Sequence, residues 1–543
     1  MINSSPPRRP LVTAAITLFA VLMGLFLPTS SSPASAIDDP DIPVPGQLSY
    51  LISDGAWTQY TAPTVLSTKA ATYIASVNSV GTVQVTRVSH VYGDIKNTVL
   101  QTNLLADDHA APSLLQLADG RIAAFYSGHQ TSPLYYRVST KPDDTSSFGP
   151  RLTLVGSGME TMRPTYTHAL YLPGETTYKY YLITRAKDFT YWMTSSADLV
   201  RWTKGYQVMG NSFPNTPNHP YARFVSNGID TIHFAMDEGH VVLTPTNSLY
   251  HMYYRKGAFY RSDGTMIRTT TQVRGTTTTA ARPIAVRAGT LVHDGTGPKG
   301  KSRVFDVAMS PTGPVIANFS ETDTKVRYVN RYSITDGNWA SSTPLTTSAS
   351  VTGVALSHSN PDIVFVTAGD TVYHFETADL GTTWQRAKLS AATSSAQRQR
   401  IVTTPWGAST PVDAVWMSGR YTDWNDGGYH TALMAWTRGL RPRTVRATYS
   451  ANWRLGGRIV ANVREGWDGQ FVGDVPVSIQ YRVNGAWVTG ATLHTSTGTA
   501  AGAQPKGTAT FTVTPTKGAD AVRLYVPRLN GWGLAATAAA SLK

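Results

Sequence analysis

The chain has no cysteine among its 543 residues, which removes thiol nucleophiles, iron–sulfur clusters and cysteine-ligated zinc from consideration. Charged residues are scarce too, at 15%. Beyond the two N-terminal arginines no run of lysine or arginine occurs, whereas nucleic-acid binders gather basic residues on one face, so that partner class is excluded. No long stretch carries a sustained helical stripe. No phosphate-cradling glycine loop is present either: Gly156-Ser157-Gly158 lacks both the strand–helix context and the lysine.

What is present begins with an export pattern. Arg8 and Arg9 precede a largely apolar run from Leu11 to Leu27, and small residues lead to Ala34-Ser35-Ala36, a good cleavage site. The apolar run is short for a membrane anchor, and nothing later could span a bilayer. Residues 1–36 are therefore expected to be a signal peptide, with Arg8-Arg9 also compatible with twin-arginine export. The mature protein should be extracellular, with no membrane insertion after cleavage. About 507 residues then remain of the 543, enough to bury large cores without disulfides. The formal charge of +13 becomes +11 once Arg8 and Arg9 leave. A mild positive field with 27 tyrosines and 13 tryptophans suits an anionic or plant or cell-wall polysaccharide as partner.

From Leu48 to Arg441 short aromatic and β-branched runs alternate with turn residues. Ile122–Tyr126, Leu134–Val138, Tyr178–Thr184, Thr231–Ala235 and Ser248–Tyr254 each read as strands. A strand–turn–tryptophan unit recurs, in Tyr373 to Asp379-Leu380-Gly381 and Trp384, in Tyr191 to Asp198 and Trp202, and more briefly in Tyr332 to Asp336-Gly337 and Trp339. Trp339 and Trp384 are 45 residues apart, a period that fits four-stranded blades. The expected fold is all-β: a seven-bladed β-propeller over residues 37–441, with six or eight blades as alternatives, then a C-terminal β-sandwich (Ig-like) domain over 442–543. In the latter Arg446–Tyr449, Arg458–Val463, Val475–Arg482, Thr508–Val513 and Ala521–Val526 tend to alternate apolar and polar residues, as sandwich strands do. This segment reads as a spacer or a glycan-binding accessory.

Three clusters carry the candidate chemistry. Asp107-Asp108-His109 lies before one strand and Ser127-Gly128-His129 after the next, so the two imidazoles can reach one rim as base and binder. Tyr166, in Arg163-Pro164-Thr165-Tyr166-Thr167-His168, and Arg185 at a strand end form the second. A guanidinium there can hold a carboxylate, or pair with Asp188. The third runs through His219-Pro220-Tyr221, Arg223, Asp237-Glu238-Gly239-His240 and His251. It reads as a substrate-binding rim network, with His219, His240, His251 and Asp237 as a less favoured metal set. Asp237 and Glu238 are adjacent, hence a weak acid/base pair on a straight strand. Arg303 and Asp306 flank a strand and can line a channel. Trp424-Asn425-Asp426-Gly427-Gly428 reads as a structural turn.

Asp108-His109-Ala110-Ala111-Pro112, Asp119-Gly120-Arg121-Ile122 and Phe125-Tyr126-Ser127-Gly128-His129 resemble the first motif of the bacterial BNR-repeat propellers that include ulvan lyases and rhamnose–glucuronate-acting enzymes. Asn247-Ser248-Leu249-Tyr250-His251-Met252-Tyr253-Tyr254, with Gly257, Phe259-Tyr260 and Asp263-Gly264, resembles their later motif. The likeness runs over roughly residues 95–270. The family's usual Asn after the first His is Ala110 here, and its usual Gly after Ser-Gly-His is Gln130. The resemblance implies a polysaccharide lyase in which His109 and His129 are the early histidines, Arg185 neutralises a uronate carboxylate and Tyr166 is a phenol proton donor. β-Elimination of this kind requires no cofactor, and a structural calcium or other divalent ion is compatible with it. The alternatives are a glycoside hydrolase using Asp237, Glu238 or Asp306, and a non-catalytic glycan-binding protein.

Overall fold

A computed structural model describes residues 44, 46–90, 95–210, 219–240, 244, 246–321, 327–345, 351–391, 398–407, 410–438, 443–450, 452–465, 471–498, 504–515, 517–527 and 535–542. The expected signal peptide and the expected junction at 441/442 lie outside them. The chain is all-β. Its one α-helix among the described residues is the five-residue Thr270–Arg274, in keeping with the missing helical stripe.

Between Gln47 and Thr437 the strands form seven antiparallel-built sheets of four to six strands. The third shows the plan: Thr165–Tyr171, Tyr180–Arg185, Tyr191–Ser196 and Tyr206–Met209 pair in chain order. Strands such as Ala71–Val77 and Thr231–Asp237 are buried at every position, because apolar side chains leave both faces of their sheets and meet a neighbour on each. Leu170, Ile183, Phe224 and Phe234 pool between the third and fourth sheets. Val315, Val329, Val364 and Val366 do so between the fifth and sixth, and Ala355, Phe365, Trp416 and Met434 between the sixth and seventh.

The first strands of successive sheets touch in order: Val65–Ser67, Ser113–Gln116, Thr165–Tyr171, Tyr221–Ser226, Lys301–Ser310, Val351–Leu356 and Arg398–Thr403. The last sheet takes its outer strand from the start of this region. Gln47–Ile52 pairs antiparallel with Tyr429–Thr437, and Ser49 Oγ lies 2.9 Å from Thr437 Oγ1. Trp406–Gly407 then pairs in parallel with Val65–Ser67 of the first sheet.

The recurring Asp turns close as their sequence suggests. Asp198 Oδ1 accepts from the backbone N–H groups of Val200 and Arg201, both at 2.8 Å, and Trp202 Nε1 donates back to Leu199 O at 3.0 Å. Trp339 departs from that pattern and donates instead to Ser262 Oγ in the neighbouring sheet.

Residues 443–541 make two further antiparallel sheets, of three and five strands, around one apolar core that includes Ile459, Val463, Ile479, Phe511, Val522 and Leu524. The strand Ala486–His494 was not expected, because its alternation is interrupted by Gly490 and its side chains are almost all exposed.

Candidate active site

Loops and strand ends from several sheets converge on a cavity of about 540 Å³ whose lining includes Tyr60, Asp108, His109, His129, Tyr166, Arg185, Phe189, His219, Tyr221, His240, Arg303, Arg400, Tyr421 and Trp424.

His109 is presented by a single 3-10 turn, Asp108–Ala110, capped by Asp107, whose carboxylate accepts the His109 backbone N–H at 2.9 Å. The same Asp107 Oδ1 accepts from His109 Nδ1 at 2.7 Å, and its Oδ2 faces His129 Nδ1 at 3.0 Å. The two imidazoles stack with centroids 4.0 Å apart and planes 3° from parallel. Asp108 Oδ1 also lies 2.9 Å from His109 Nδ1. The N–H points at Asp107 and Asp108 Oδ1 makes no hydrogen bond of its own, so Asp108 acts on the ring through charge.

Desolvation pulls His109 down, but the charge of Asp108 and the bonds to Asp107 outweigh it and hold the imidazole up at about 9. Burial pushes Asp107 up, against which hydrogen bonds from His109 and His129 hold it at about 2. Asp107, His109 and His129 have donor atoms within 4.8 Å of one another, close enough for a metal ion. Both Nδ1 atoms are already satisfied by Asp107, so hydrogen bonding accounts for the spacing.

His129 is set by the Ser127-Gly128 turn, where a Cβ at Gly128 would collide with Thr131 Oγ1. Gln130, in the place of the family's usual glycine, has φ +49° and is held by its N–H to Thr165 Oγ1 at 2.9 Å.

Tyr166 sits at a register shift between Thr165 and His168, with φ +57°. A left-handed tyrosine inside a strand is unusual, and the bulge re-aims its ring. The hydroxyl meets His109 Nε2 at 3.0 Å. Burial pushes its pKa well above 10, with Arg185 pulling the other way. Arg185, 2% exposed, lies with its guanidinium 4.2 Å over the Tyr166 ring and 5.0 Å over Tyr221. Its Nε and Nη1 have no hydrogen-bond partner among the described residues. Asp188, its alternative partner, instead accepts from Thr190 N at 3.1 Å and Oγ1 at 2.6 Å. Arg303 donates to Tyr60 Oη at 3.2 Å, and the Tyr60 ring in turn packs on Tyr166 and Tyr221.

Of the remaining sequence candidates, His219, Tyr221 and His240 line the cavity. His219 stacks on Phe189 at 4.0 Å and meets His240 edge-on at 5.3 Å. Four residues do not reach the cavity lining. Arg223 is buried in an ion pair with Asp306 at 2.9 Å. Asp237 accepts from Val304 N at 2.6 Å, and burial pushes it up to about 8. Glu238 accepts from Arg287 at 2.6 Å. His251 is fully buried, with Nε2 3.1 Å from His233 Nδ1 and Nδ1 2.8 Å from Ser262 Oγ, so it does not join His219 and His240 as a metal set. All four are buried and committed to other partners.

Sequence reasoning missed Tyr60, Phe189, Arg400, Tyr421 and Trp424 on the cavity wall, and the joint role of Asp107. Trp424 was read as part of a structural turn, yet its ring meets His109 and His129 edge-on at 5.2 and 5.0 Å. Only the exposed Trp-Asn-Asp-Gly-Gly string hinted at it.

Residues 71–390 match the BNR repeat-containing family. No curated protein sequence matches the chain. Among solved structures, a polysaccharide lyase PL25 ulvan lyase bound to -[GlcA(1-4)Rha3S]- is similar at 13% identity, with a TM-score of 0.53 over 73% of this chain and 95% of that one. A second PL25 ulvan lyase structure is similar at 12% identity and a TM-score of 0.54, over the same shares of the two chains. At such identities the likeness is one of fold.

Proposed function

The chain belongs to the BNR repeat-containing family, and on that premise we propose that it is a secreted polysaccharide lyase, a seven-bladed propeller with a C-terminal sandwich accessory, that cleaves a uronate-containing glycan by β-elimination. The observation that carries the reading is one hydrogen-bonded line, Asp107–His109–Tyr166, with a guanidinium lying on the tyrosine whose Nε and Nη1 have no hydrogen-bond partner among the described residues.

Arg185 binds the uronate carboxylate. As C5–H breaks, charge builds on that carboxylate, and a guanidinium contact that tightens with it stabilises the transition state. His109, oriented through Nδ1–H to Asp107, takes the C5 proton on Nε2. The C–H electron pair becomes the C4–C5 double bond, C4–O breaks, and the leaving oxygen takes the Tyr166 hydroxyl proton. Tyr166 then recovers a proton from His109 Nε2–H across their 3.0 Å contact, which returns both groups to their starting states. His129, bonded to the other Asp107 oxygen, is a second polar contact for the sugar. Arg303 and Arg400 add positive charge to the same wall, as an anionic polymer requires. The reaction needs no cofactor. The hydrolase alternative has weaker support, because Asp237 and Asp306 hold internal donors and Glu238 is paired with Arg287, none of them in the cavity lining.

Incubation with a panel of glucuronate- and other uronate-containing polysaccharides tests the proposal. An ultraviolet absorbance from the new conjugated double bond is expected, and His109→Ala should lower its rate by at least about a hundredfold. New reducing ends without that absorbance would instead favour hydrolysis.

A further inference from the structure

The seventh sheet sends one loop across to the first histidine. Val412–Tyr421 and Tyr429–Thr437 pair through Tyr421↔Tyr429, and the turn between them folds onto the segment before His109. Asp107 bridges to Asn425, Asp108 N–H donates to Trp424 O at 2.9 Å, and Asp426 N–H donates to Ala106 O at 2.9 Å. Gly428 closes the turn with its N–H to Asn425 O at 2.7 Å, at a position where a Cβ would strike Asp423. Tyr421 Oη–H donates to Asp108 Oδ2 in a short hydrogen bond, and Arg400 lies 3.9 Å over the Tyr421 ring. All of these seventh-sheet residues fall beyond the 71–390 stretch that matches the family.

We propose that Tyr421 is a positioning residue for His109: by donating to Asp108 Oδ2 it fixes that carboxylate with Oδ1 against the imidazole, while Trp424 walls the His109–His129 stack. The proposal rests on the reading of His109 as the reacting base, because only there does the placement of a second carboxylate matter. The charged and titratable groups that face His109 are Asp107 and Asp108 from its own turn, His129 stacked on it, Tyr166 at its Nε2, and Tyr421 behind Asp108. Asp107 is already committed to both imidazoles, so Asp108 is the member of the set whose orientation is free to be set from outside. Burial and the Asp108 charge push the Tyr421 phenol far up, so it remains a donor. Without the Tyr421 hydroxyl, nothing from the seventh sheet holds Asp108 Oδ1 against the ring.

The test reads the imidazole rather than turnover, which separates its failure from failure of the lyase reading. In ¹⁵N-histidine-labelled full-length protein, the His109 signal is identified by its loss in His109→Gln and followed through a pH titration. In Tyr421→Phe the carboxylate is no longer held against the ring and the midpoint should move downward, by about half a unit or more, while the buried His251 signal stays where it was. In an Asp108→Asn background the Tyr421→Phe change should have no further effect, since the path through the carboxylate is gone. An unmoved His109 midpoint in folded Tyr421→Phe overturns the proposal, as does an equal shift in the Asp108→Asn background. Should Tyr421→Phe fail to fold, Asp108→Asn alone decides: the His109 midpoint must drop, and one that stays in place overturns the proposal. If the titration behaves as expected but no unsaturated product is ever formed, the positioning holds and the lyase reading fails.

Discussion

His109 feels two opposed influences, burial that favours its neutral form and two carboxylates that favour the charged one, and the carboxylates win. With a value of about 9 against an ordinary 6.5, the folded protein binds this proton more tightly than the unfolded chain does. Its contribution to stability is therefore complete below 6.5 and lost as pH rises through about 9. Catalysis needs the opposite form. A base must be neutral before it can take a proton, so kcat/KM should climb with pH, reach half its maximum near 9 and level off above it, as a pH–rate profile would register. A profile that falls over that interval would mean that His109 works as an acid. The basicity that costs population at neutral pH also makes the ring a better match for a weak carbon acid. His109 and Arg185 were legible as candidates from residue type and place alone. The second oxygen of Asp107, shared with His129, was not, because adjacent aspartates give no sign in sequence of which side chain turns where.

At the scale of elements, small irregularities aim the chemistry. The strand Thr165–Tyr171 slips register at Tyr166, and the left-handed backbone there turns the phenol to His109 while the rest of the strand stays in the core. Tyr166→Phe keeps the ring under Arg185 and removes only the hydroxyl. It should lower kcat by about a hundredfold with little change in thermal midpoint, which steady-state kinetics and a melting curve would check together. A large drop in melting temperature would mark the hydroxyl as structural instead. Strand positions were readable from their aromatic and β-branched runs, and Ile122–Tyr126 lies where it was expected. The bulge was not readable, because Thr-Tyr-Thr alternates like any regular strand. The same limit misplaced Arg223, Asp237, Glu238 and His251. Their polar residue types suggested a rim, but burial commits them to other partners.

The seventh sheet joins strands from the two ends of the Gln47–Thr437 region. Gln47–Ile52 supplies the outermost strand of the seventh sheet, the sheet whose turn holds Tyr421 and Trp424 against the histidines. Deleting residues 47–52 would leave the edge of Tyr429–Thr437 unpaired, far from the cavity along the chain. Such a variant should melt at a lower temperature and lose the ordered His109–His129 stack. Unchanged melting, followed by circular dichroism, would show that the sheets hold without this closure. The strand–turn–tryptophan period made the repeated sheets foreseeable. The closure was not, because pairing between residues nearly 400 positions apart (Ser49 with Ala435, for instance) leaves no local mark.

Where a uronate sits decides the chemistry most directly. A crystal structure of Tyr166→Phe with a bound uronate-containing oligosaccharide should place the carboxylate on the Arg185 guanidinium and turn C5–H toward His109 Nε2. An oligosaccharide lodged elsewhere, or one whose carboxylate avoids Arg185, would contradict it.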